Sequence, residues 1–117
     1  MKKTLSLKEP KEFQRALKKG TWYGGNLIST YILSNNTEVN YIGLGIGKKV
    51  GKATKRNKVK RIIRAAYLNL EENLDKGYTI IFVWRAKAKF EDLTFFDIKR
   101  DLERAFTKAG MLKWVDF

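Results

Sequence analysis

The chain of 117 residues contains no histidine and no cysteine, and its single proline is Pro10. Without histidine it lacks the side chain that most often acts as general acid or base near neutral pH. Without cysteine it can build no disulfide framework, offers no thiolate nucleophile and has no ready zinc site. Cysteine-free composition also agrees with a cytosolic home. Long apolar runs are missing as well. The longest, Ile80 to Trp84, falls far short of the ~20 residues a membrane-spanning helix needs. Met1-Lys2-Lys3 has the basic start of a signal peptide, but Ser6, Lys8, Glu9 and Pro10 interrupt any apolar segment behind it. These absences lead to the expectation of a soluble, unexported, cytoplasmic protein with no membrane partner.

What is abundant is positive charge. Twenty-five lysines and arginines stand against 12 acidic residues, a formal net charge of +13. Hydrophobic residues make up 44% of the chain, enough for an ordinary core, so residues 1–117 are expected to fold as a single domain. The charge is concentrated. Nine basic residues lie between Lys48 and Arg64, and no acid occurs between Glu38 and Glu71. Over the rest of the chain 16 basic residues nearly balance the 12 acids. A local stripe of this kind suits a polyphosphate partner.

Periodicity predicts the order α-β-β-α-β-α, a single-domain α+β sandwich, with a short extra strand near Thr21 to Tyr23 allowed for. Lys8 to Lys19 reads as a helix with Pro10 in its first turn, Phe13, Ala16 and Leu17 on one face, and Gly20 as its stop. Leu27 to Leu33 reads as a strand with Ile28 and Ile32 on one face and Tyr31 on the other. Ser34 to Thr37 is a turn. Tyr41 to Gly47 alternates strictly: Ile42, Leu44 and Ile46 line one face, and Gly43, Gly45 and Gly47 leave the other bare for close approach. From about Thr54 to Leu74 the pattern is helical. Val59, Ile62, Ile63, Ala66 and Leu70 share a face, while Asn57, Arg61 and Arg64 lie opposite with Lys60 beside them. The isoleucines would dock this helix and so turn its basic side outward. Tyr78 to Trp84 reads as a buried strand, and Thr94 with Asp97 as the capped start of a last helix.

Several chemistries compete for these motifs. A merely solvated helix normally mixes charge signs to form i, i+4 pairs, and this one does not. A membrane-surface helix would keep its bulky residues free of a core. Glycines 43, 45 and 47 alternate within a strand and lack the spacing of a nucleotide-binding loop, so RNA or a packed element approaching them is the better reading. Phe13 and Tyr31 could each stack on a base. A core place is expected for Phe13, so Tyr31 is the better candidate. A magnesium nuclease acting alone would rely on carboxylates such as Asp97 and Asp101, which lie among Lys99, Arg100, Arg104 and Lys108 and read as salt-bridge partners.

Gly47-Lys48-Lys49-Val50-Gly51-Lys52-Ala53, followed by Arg56-Asn57-Lys58-Val59-Lys60-Arg61-Ile62-Ile63-Arg64, resembles the signature of the bacterial ribonuclease P protein subunit. That family carries a Lys-Lys-x-Gly-x-Ala turn leading into an Arg-Asn-Arg helix. Here Lys58 replaces the third residue of that triplet, Leu17 stands where many members have a second aromatic, and Ser6 where a basic residue is common. The resemblance implies parallel strands on either side of the basic helix, joined by a left-handed β-α-β crossover, against the usual right-handed rule. It implies a protein that assists a catalytic RNA in cutting the 5′ leader from precursor tRNA, with no catalytic residue of its own. Magnesium would be held mainly by the RNA, none would be tightly bound by the protein, and no further protein partner would be required. Arg56, Asn57, Lys58, Lys60, Arg61 and Arg64 would then face the RNA subunit. Phe13, Leu17, Tyr31, Lys48, Lys49 and Lys52 would border the leader cleft. The alternative is a ribosomal or general RNA-binding protein without a ribozyme partner.

Overall fold

In chain order the elements are β1 (Thr4–Ser6), α1 (Pro10–Lys19), β2 (Thr21–Gly24), β3 (Ile28–Ser34), β4 (Asn40–Gly45), α2 (Ala53–Leu70), β5 (Tyr78–Trp84) and α3 (Phe95–Lys108). They come from a computed structural model that describes residues 4–112. Met1 to Lys3, the signal-like start considered above, and residues 113–117 lie outside the described residues. One mixed sheet runs in the order β1-β4-β5-β3-β2. β4 and β5 are parallel neighbours, as the resemblance implies, and α2 connects them.

β5 is central because its sequence suits burial on both faces. Ile80, Phe82 and Trp84 belong to the core cluster that includes residues of α2 and α3, and Ile81 is fully buried on the opposite side. Strand registers place Trp22, Tyr31, Ile81 and Gly43 in one row across that opposite face, with α1 packed over part of it. On the core side Tyr67, Phe82 and Phe106 meet edge to face, with ring centroids 6.2–6.3 Å apart.

β1 was absent from the predicted order. Three residues carry too little alternation to declare a strand, and this one is held by distant partners. It pairs in parallel with β4, and Thr4 Oγ1 lies 2.7 Å from the buried Tyr67 hydroxyl. Burial pushes the Tyr67 phenol above its ordinary value, although hydrogen bonds with Thr4 and Asn40 oppose that. The extra strand near Thr21 is present as β2. α2 stops at Leu70, earlier than the periodicity indicates, and tightens into a 3-10 turn at Glu71–Asn73. The buried Leu74 beyond it instead bridges to Leu112. β4 ends at Gly45, because Gly47 already opens the next 3-10 turn.

Candidate nucleic-acid interface

α2 is docked by Val59, Ile63, Ala66 and Tyr67, all with no exposed surface, and by Leu70. Ile62 is half-buried against the same core. This packing fixes what faces outward. Asn57, Lys58, Arg61 and Arg64 are exposed, and Arg56 and Lys60 half-buried. Among the described residues no acid pairs with any of these cations; the ion pairs, Lys99–Glu103 and Arg100–Asp97, both lie within α3. Lys52/Arg56, Arg56/Lys60 and Lys60/Arg64 therefore stand as like-charged i, i+4 neighbours, a spacing that destabilises a helix.

The start of α2 adds to that unfavourable field. Lys52 at the N-cap makes no side-chain cap bond, and the first turn holds no acid. Cations thus crowd the positive end of the helix dipole, where an anion is favoured. Lys55 and Lys58 find one local outlet, with their ammonium groups 5.0 and 5.9 Å from the centroid of the Phe90 ring.

The segment before α2 presents the other lysines. Lys48–Val50 forms a 3-10 turn anchored by buried Val50, which leaves Lys48 and Lys49 exposed; Lys52 follows, also exposed. Gly51 turns the chain with φ +133°, a conformation L side chains rarely adopt.

Phe13, Leu17 and Tyr31 come together on the α1 side of the sheet, each half-buried. The bare glycine face of β4 receives Phe13. A Cβ on Gly43 would lie 3.0 Å from Phe13 Cδ2, and one on Gly45 3.4 Å from Cζ. A packed element, not open strand, therefore covers that stretch. Tyr31 does point away from the Ile28/Ile32 face, as its alternation predicts. The two groups of residues thus occupy different surfaces: an α2 ridge and an α1–sheet cleft, linked by the Lys48–Lys52 turn. A small cleft of about 140 Å³ brings Lys60 and Arg64 to the sheet edge at Ser6, Leu7 and Gly43.

Size alone does not pick out the site. A wider cleft of about 660 Å³ lies near the start of α1, but Glu9 and Glu12 line it with Lys8 as their basic neighbour. Charge makes it the poorer place for phosphate.

Asp101 corrects the sequence reading. It is 2% exposed and accepts from the backbone N–H groups of Asn26 at 2.8 Å, Leu27 at 2.8 Å and Ile28 at 3.0 Å. It is a brace between α3 and the start of β3 instead of a surface salt-bridge partner. Asp97 behaves as expected: its N–H donates to Thr94 Oγ1 at 3.0 Å, and Arg100 lies 3.8 Å away. Sequence reasoning also missed exposed Trp22, which stands opposite Tyr31 on the neighbouring strand. Only the strand register reveals that pairing.

A family model described as Ribonuclease P matches residues 1–110. The chain is similar to the ribonuclease P protein component of Clostridium botulinum, 38% identical over 106 residues, covering 90% of this chain and 94% of the relative. It is 37% identical over 110 residues to that of Clostridioides difficile, covering 93% and 95%. Among solved structures, the Staphylococcus aureus RNase P protein superposes with TM-score 0.78 at 28% identity, over 92% of this chain and 97% of that one. The Thermotoga maritima protein gives 0.78 at 25% identity, over 88% and 96%.

Proposed function

Because the chain belongs to the ribonuclease P protein family, and so to an endoribonuclease complex, we propose a division of labour for its two surfaces. The α2 ridge of Arg56, Asn57, Lys58, Lys60, Arg61 and Arg64 binds the catalytic RNA. The cleft bordered by Phe13, Leu17, Tyr31, Lys48, Lys49 and Lys52 receives the 5′ leader of precursor tRNA. One observation carries the first half. Cations without an acidic partner among the described residues are held on the outer side of α2 by its buried face, although their mutual repulsion disfavours the helix. Phosphates would relieve that repulsion and release condensed counterions. Family membership supports this reading over a ribosomal or general RNA-binding role.

The protein contributes binding and orientation, and the RNA performs the cleavage. Among the described residues no three His, Cys, Asp or Glu side chains gather into a group that could hold a metal ion. Magnesium bound by the RNA would supply the activated water and the charge stabilisation. The reading places the protein in the cytoplasm with its transcripts and requires no second protein partner. No helix among the described residues is long and apolar enough to cross a membrane.

Tyr31 tests the leader half. A leader is single-stranded, and stacking one base on an aromatic ring is worth about 1–3 kcal/mol. Tyr31→Ala should weaken holoenzyme binding to precursor tRNA and leave binding to mature tRNA unchanged. Paired titrations at fixed salt measure this, since phosphate contacts make every affinity salt-dependent. Equal losses for the two substrates would make Tyr31 a structural residue only.

A further inference from the structure

We infer that Trp22, steadied by Arg85, is a second base-stacking platform beside Tyr31 that extends the cleft across the outer strand β2. The inference rests on the reading of that cleft as the leader site. Trp22 is 52% exposed, an unusual condition for so large an apolar ring on an edge strand. Its Cα partner across the ladder is Tyr31, so the two side chains rise from the same face of the sheet.

The indole is held on two sides. A Cβ on Gly24 would lie 2.6 Å from its Cη2 and Cζ2 atoms, so the ring lies down across a residue that has no side chain to lift it. The Arg85 guanidinium carbon sits 5.8 Å from the ring, within cation–π range. Arg85 is itself tethered, because its Nη1 donates to the Gly25 carbonyl at 2.6 Å and its backbone N–H to that of Leu27 at 2.9 Å. An aromatic surface held open in this way loses little freedom when a base stacks on it.

Charge selects the occupant. The cation beside the indole favours a strand with a phosphate backbone, and the nearby carboxylate of Asp101 is buried and occupied by backbone N–H groups. The indole reaches over Gly24, two residues along β2 from its own Cα, and so widens the surface outward from the row that Tyr31 occupies. A single strand crossing β3 and β2 can therefore rest one base on Tyr31 and another on Trp22.

The test uses the reconstituted holoenzyme and precursor tRNAs whose leaders are shortened one nucleotide at a time. Trp22→Ala should bind as wild type with the shortest leaders, then at least fivefold more weakly once the leader reaches β2. That step should come at a length close to, but distinct from, the one at which Tyr31→Ala loses affinity. Trp22→Phe keeps a ring and should recover most of the loss, which a purely structural role would not require. Wild-type affinity that grows with leader length while Trp22→Ala follows it at every length would overturn the platform alone. Wild-type affinity that ignores the leader would overturn the leader cleft and the platform together.

Discussion

Asp101→Ala should lower folding stability by about 3–5 kcal/mol, because three backbone N–H groups would lose their acceptor in a buried place. The affected residues, Asn26, Leu27 and Ile28, set the start of β3, so the damage should spread to the Tyr31 face. Asp101→Asn keeps one acceptor oxygen and should fall between the alanine variant and wild type. Asp97→Ala is the control. It removes a capping-turn carboxylate and an ion pair whose partners are both partly exposed, together worth about 0.5–1 kcal/mol. Urea denaturation of the four proteins measures the series. Similar small losses for Asp97→Ala and Asp101→Ala would show that Asp101 acts as an ordinary surface charge.

Ile63→Ala should cost about 2–5 kcal/mol of stability, the usual range for truncating a large aliphatic side chain with no exposed surface. Arg61→Ala, two residues earlier and on the exposed side, should change stability by less than about 0.5 kcal/mol. Binding should show the reverse order. Arg61→Ala should weaken association with the catalytic RNA and flatten the dependence of log affinity on log salt by about 0.9 for one lost phosphate contact. If Arg61→Ala unfolds the protein while Ile63→Ala spares it, the assigned facing of α2 is wrong.

Much of this arrangement can be read from local pattern. The 3.6-residue spacing of Val59, Ile63, Ala66 and Leu70 determines which side of α2 is buried, and hence which cations face out. The alternation around Tyr31 places its ring opposite Ile28 and Ile32. What escapes the sequence depends on partners far along the chain. β1 is three residues held by β4 and by Tyr67, and nothing in Thr4-Leu5-Ser6 announces either contact. Asp101 sits in a helix full of lysines and arginines, so local charge points to a salt bridge while its real partners lie more than 70 residues away. The glycine face of β4 was legible as a place of close approach, but only packing shows that Phe13 fills it. Trp22 becomes informative once register sets it beside Tyr31.

The central claim is that this protein binds and the RNA cuts. The direct measurement is 5′-leader removal from precursor tRNA at low magnesium, by the purified protein alone, by a bacterial ribonuclease P RNA alone, and by the two together. The protein alone should give no cleavage, the RNA alone slow cleavage, and the two combined a marked acceleration. Leader removal by the RNA-free protein, persisting through nuclease-free purification, would contradict it.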